Sequence, residues 1–183
     1  QICIRDRIKG LDNLDPASLN QPFDKGNALT IPYMWGTVGL LVNKKAVDVS
    51  TIKSWKDLAR PEFKGRVLLS DDLRDTFGVG LKACGLEFIV PEEGMLIWLD
   101  NFAIPAGAEH KENAYKFISY LMRPEVAKLC VEEFNYSTPN KAAEKILEPE
   151  YAESKVIVLD PEELAKGEVT VNVGKARELY EKY

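Results

Sequence analysis

Met95-Leu-Ile-Trp-Leu-Asp-Asn-Phe-Ala-Ile-Pro105 is the most hydrophobic stretch of the chain, and an aspartate sits inside it. Apolar residues on both sides of Asp100 argue a buried strand. Residues two apart on a strand point to the same face, so Trp98 and Asp100 present an indole and a carboxylate side by side. A buried carboxylate is costly unless a cation or hydrogen-bond donor meets it. An aromatic face beside an anion is one way to hold an ammonium group carried on an alkyl chain. The competing reading is a strand end whose Asp100 reaches solvent or caps a helix, and the stretch by itself leaves both open.

Around that stretch the chain alternates strand and helix signals. Thr30 to Asn43 (TIPYMWGTVGLLVN) is apolar, β-branched and aromatic, with Gly36 and Gly39 inside it. It reads as one long strand, bent or closely approached at its glycines. Ser54 caps a short helix from Trp55 to Arg60 that Pro61 stops. Arg66–Ser70 reads as a strand, followed by a helix from Ser70 to a stop at Gly85. Leu86–Val90 and Met95–Pro105 read as strands around the turn Pro91–Gly94. Ala114, Phe117, Ile118 and Leu121 make one apolar helical stripe. A further helix opens at Pro124 with Val126, Leu129 and Cys130 inward. Helices from Thr138 to Leu147, Pro161 to Lys166 and Asn172 to Tyr183 complete an α/β fold.

Composition bounds the function. The 183 residues suffice for one sizeable domain or two small lobes. No apolar run approaches the ~20 residues of a membrane helix. A net charge of -5 weighs against nucleic acid, which requires a basic footprint. Cys3, Cys84 and Cys130 are odd in number and far apart, which excludes a full disulfide framework and disfavours a zinc site. The only histidine, His110, sits among Glu109, Lys111 and Glu112 and reads as a surface residue. Neither a serine–histidine nor a cysteine–histidine system has another candidate.

Asp71, Asp72 and Asp75 crowd one helix start, where carboxylates complement the helix dipole and cap the first turn. Spacing alone favours that reading. Asp72 and Asp75 also share a helix face, which can receive one end of a diamine while Asp100 receives the other. Tyr33, Trp35, Trp98 and Tyr136 are the aromatics available to flank the methylenes, though each alone also suits core packing. A glycosidase would use two such carboxylates across a cleft. Metal binding is the weakest option, since Arg74 stands among the acids and no calcium-loop glycine follows.

Taken together, these segments resemble the polyamine (spermidine/putrescine) substrate-binding proteins of bacterial ABC transporters. The matching stretches are Leu14-Asp-Pro16, Leu19-Asn-Gln-Pro-Phe23, Ile31-Pro-Tyr-Met-Trp-Gly36, Ser54-Trp-Lys-Asp-Leu58 and Pro61-Glu-Phe-Lys-Gly65. Leu69-Ser-Asp-Asp-Leu-Arg-Asp75, Trp98-Leu-Asp100, Ala103-Ile-Pro105, Arg123-Pro-Glu-Val-Ala127, Tyr136-Ser-Thr-Pro-Asn140 and Val173-Gly174 follow in the family's order. The resemblance implies a two-lobed, doubly wound periplasmic-binding-protein-like α/β fold (type II). It implies a non-enzymatic, exported protein without cofactor or metal, which hands putrescine or spermidine to a membrane permease. Asp72 and Asp75 are then expected to hold one amine, Asp100 another, and Trp98 to stack on the methylenes. Tyr136 is expected to help complete the pocket, Trp35 is a further candidate from the residues alone, and Thr170 stands where the family often carries a glutamine.

The same resemblance assigns residues 1–35 and 101–136 to remnants of a first lobe, and 36–100 with 137–183 to the second. Crossover strands near 31–36 and 98–104 join them. Two departures from the family are expected: its N-terminal β-α-β portion is missing before Gln1, and a central segment is missing at the tight helix-to-strand joint Cys84-Gly85. Apolar surface exposed by such a trimmed lobe offers a route to a dimer. The alternatives are a lobe without ligand-binding activity of its own, or a same-fold binder of another organic cation.

Overall fold

The computed structural model describes residues 4–68 and 86–169. Its centre is an antiparallel ribbon. Strand β1 (Thr30–Val38) pairs with β4 (Leu96–Ala103), and β2 (Leu40–Asn43) pairs with β3 (Leu86–Ile89). β1 and β2 are thus the expected long strand, interrupted only at Gly39. There a side chain would meet the Phe88 ring at 2.7 Å and the Ile89 carbonyl at 2.8 Å. Between β3 and β4 the chain makes a detour from Ile89 to Leu96, turning at Pro91–Gly94, where Gly94 donates to the Pro91 carbonyl at 3.0 Å with φ 98°. A two-residue strand β5 (Glu168–Val169), which the sequence did not signal, runs parallel to β4 beside Leu96 and Ile97.

Two apolar clusters lie at the two ends of the β1–β4 pair. One gathers Ile4, Ile8, Leu14, Ile31, Ile118 and Met122, with Tyr33 and Phe102 packed against it. The other gathers Trp35, Met95, Ile97 and Leu159. Helix α1 (Lys111–Leu121) follows the expected stripe and buries Ile118, while Phe117 remains half exposed. Helix α2 (Pro124–Phe134) begins at Pro124 as expected but buries Val126, Ala127 and Val131. Leu129 is 62% exposed, because the stripe that faces the core is centred one turn-step away from it.

Three other expectations change. Arg66 lies in a turn, and Val67 and Leu68 pair with no strand among the described residues; Leu68 is 85% exposed, and the rest of the strand expected over 66–70 lies outside the described residues. The Asn140-capped helix α3 (Lys141–Glu144) stops well before Leu147, and a separate helix α4 (Pro149–Ala152) starts at Pro149. The Trp55–Ala59 helix is a 3-10 turn, closed by the Ser54–Asp57 capping box. Helix α5 (Pro161–Leu164) starts where expected, on the Asp160 cap. The helices expected over 70–85 and 172–183 lie outside the described residues.

Candidate functional site

The register of β1 against β4 builds the site. Gly36 stands opposite Trp98 and Met34 opposite Asp100, so indole and carboxylate share a face, as period-two alternation requires. The stretch is half-buried there, less enclosed than an all-apolar run implies. Between them in register, Trp35 stands opposite Leu99 and faces the other way, into the cluster of Met95, Ile97 and Leu159. Trp35 is 9% exposed and its ring packs in that cluster, on the face away from Trp98.

Backbone bonds on the far edge of β1 bring in Tyr136. Trp35 donates to the Ser137 carbonyl at 3.1 Å, and Ser137 donates back to the Trp35 carbonyl at 3.0 Å. Asn135, at φ 57°, turns the chain out of α2 to reach that position. Asn140 anchors the other end: its side chain donates to the Met122 carbonyl at 2.9 Å and accepts from Ala143 N–H at 3.0 Å. Tyr136 thereby meets Trp98 edge to face, with ring centroids 5.1 Å apart at 85°. Edge-to-face packing of this kind fixes a ring's tilt as well as its position.

Alternation also puts Phe102, two residues beyond Asp100, on the same face, and Tyr33 packs against it with centroids 4.5 Å apart. Tyr33 is the bulged residue of β1, since the register shifts between Pro32 and Met34. Burial, then the neighbouring Cys130 and Asp100, push its phenol above the usual range. Asp100 therefore stands between two aromatic groups, Trp98 with Tyr136 and Phe102 with Tyr33. The period-two rule that pairs Trp98 with Asp100 also selects Phe102, which the sequence reading passed over.

The Cys130 thiol is pushed up by burial and is protonated at neutral pH. His110 is exposed at the start of α1, as expected. Among the described residues, no cluster of three or more His, Cys, Asp or Glu side chains could hold a metal. Nor does any helix there have the length and apolarity to cross a membrane. Asp72, Asp75 and Thr170 lie outside the described residues; β5 ends at Val169, immediately before Thr170.

The Spermidine/putrescine-binding periplasmic protein of Salmonella typhimurium is 34% identical to this chain, matching 98% of it and 69% of the relative. The chain belongs to the spermidine/putrescine-binding periplasmic proteins. The Escherichia coli member of this family is 33% identical over the same extent. Two family models, each described as a bacterial extracellular solute-binding protein, match residues 6–85 and 82–157. Among solved structures, a spermidine/putrescine ABC transporter substrate-binding protein from Streptococcus pneumoniae has a TM-score of 0.79 at 26% identity, covering 97% of this chain and 75% of that one. A putative spermidine/putrescine ABC transporter from Listeria monocytogenes gives 0.80 at 26%, covering 97% and 74%. The fold is that of the two-lobed periplasmic binding proteins.

The match to the Salmonella relative spans 240 positions against the 183 residues of this chain, an excess of at least 57 that the chain does not fill. The two family models meet at residues 82–85, beside the joint where a central segment was expected to be missing.

Proposed function

We propose that this protein binds putrescine or spermidine outside the cytoplasmic membrane and delivers it, chemically unchanged, to an ABC-transporter permease. The observation that carries the reading is the pairing of the Asp100 carboxylate with the Trp98 indole on one face of β4, the indole braced by Tyr136. The carboxylate neutralises one ammonium and the aromatic faces cover the methylenes. Asp72 and Asp75 take the second ammonium, and Thr170 is a further candidate contact. The proposed division is a first lobe of 1–35 and 101–136 and a second of 36–100 and 137–183, although Trp35 packs into the cluster of Met95, Ile97 and Leu159, and Leu147 and Ile157 pack on Val131. The ribbon between them is then the crossover on which the lobes close.

Thermal melts with putrescine, spermidine and the neutral 1,4-butanediol test this directly. A ligand that binds only the folded state raises Tm with the logarithm of its concentration. The amines are expected to do so and the diol to have no effect. Melts unmoved by either amine contradict the proposal. They would favour the second reading, a folded lobe without its own ligand, to which the excess of at least 57 positions in the relative gives weight.

A further inference from the structure

We propose that Gly36 is a positioning residue of this site: the missing side chain at 36 leaves the space that the Trp98 indole fills against β1, while Tyr136 packs on that indole edge to face. The inference rests on the polyamine reading. Gly36 lies on β1, between β4 on one side and the segment bridged to Trp35 through Ser137 on the other. Trp98 comes from β4 on one side, directly opposite Gly36 in register. Tyr136 comes from the segment bonded to the Trp35 backbone on the other. The two rings meet at 5.1 Å, edge to face.

A Cβ at Gly36 would stand 2.7 Å from Trp98 Cε2 and 3.0 Å from Nε1, and closer still to Cζ2. The backbone conformation does not explain the glycine. Gly10, Gly26, Gly65 and Gly94 have positive φ, and Gly36 is not among them. Space alone requires glycine here, and the space is filled by the indole. Because the obstructed atoms belong to a side chain, a methyl group at 36 displaces the ring before it displaces the strand. Asp100 stays where it is, and the aromatic surface beside it tilts away.

The test is a double-mutant cycle with Gly36→Ala, Trp98→Ala and the pair, read by putrescine and spermidine titrations, thermal melts and the indole N–H resonance of Trp98. Gly36→Ala is expected to shift that resonance without ligand and to weaken both amines on the order of tenfold, the scale of one desolvated cation–aromatic contact. In the Trp98→Ala background the same change should cost nothing further, because coupled residues are non-additive. Three results overturn the inference. One is unchanged binding with a raised Tm, as removal of a flexible glycine alone would give. Another is an equal loss in both backgrounds. The third is a chain that fails to fold even with Trp98 removed, which would make Gly36 a residue of the fold. If the parent protein binds neither amine, the polyamine reading has failed, and this inference falls with it.

Discussion

Asp24 and Asp100 show two uses of a half-hidden carboxylate in one molecule. Asp24 is 6% exposed, and its oxygens accept from Ala28 N–H at 3.1 Å, Leu29 N–H at 3.0 Å, Thr30 N–H at 2.7 Å and the Thr30 hydroxyl at 2.7 Å. Burial raises its pKa, but these bonds together outweigh burial and hold it below the ordinary carboxylate value. Its acceptor capacity is filled by the loop that delivers the chain into β1. Asp100 lies at the other side of that strand pair, half-buried between aromatic groups. Among the described residues nothing donates to its carboxylate. The first aspartate is a structural bond; the second is the carboxylate we propose for the ligand.

The comparison breaks most sharply if exchanging either carboxylate has the same effect. Asp100→Asn should weaken putrescine by roughly a hundred- to several-thousand-fold, the ~3–5 kcal/mol of a buried charge left unpaired. Its melting temperature without ligand should stay at the parent value. Asp24→Ala should do the reverse: it strands three N–H groups and a hydroxyl, costing about 3 kcal/mol in urea unfolding. The folded fraction should still bind.

Protonation sharpens the contrast further. Asp24 has a folded pKa below its unfolded value of about 3.9. Its contribution is therefore fully present above that value and is lost as pH falls through the folded pKa. Stability measured from neutral pH down to about pH 2 should fall less steeply in Asp24→Asn than in the parent. A parallel fall in both would show that Asp24 has no such role.

Smaller effects mark the periphery. Ser54→Ala removes the cap of the Trp55 turn and its bond to Glu93, for about 1 kcal/mol in the same unfolding assay, with no change in binding. Lys128→Met breaks the partly exposed pairs with Glu148 and Glu132. It should alter Tm less than Ser54→Ala does, and by nothing at high salt.

Much of this arrangement was legible in the residues. The aromatic, β-branched run 30–43 reads as a strand with close approaches at Gly36 and Gly39, and period-two spacing puts Trp98 beside Asp100. Other features depend on partners far along the chain. Trp35 joins the core because its register partner is Leu99, and register is set by pairing rather than by composition. Tyr33 reaches Phe102 through a bulge that no local signal marks. Asp24 looks like one of several turn residues until the fold buries it. The short β5 has only two residues of pattern to read. The carboxylates at 72 and 75 are legible as a shared helix face alone, since they lie outside the described residues.

The most direct measurement is a crystal structure of the protein grown with putrescine. The account predicts an amine nitrogen within about 3 Å of an Asp100 carboxylate oxygen, the distance of a charge-assisted hydrogen bond. It also predicts methylene carbons within about 4 Å of the Trp98 indole. A putrescine bound elsewhere, or crystals in which Trp98 and Asp100 meet only solvent and protein at saturating ligand, would contradict it.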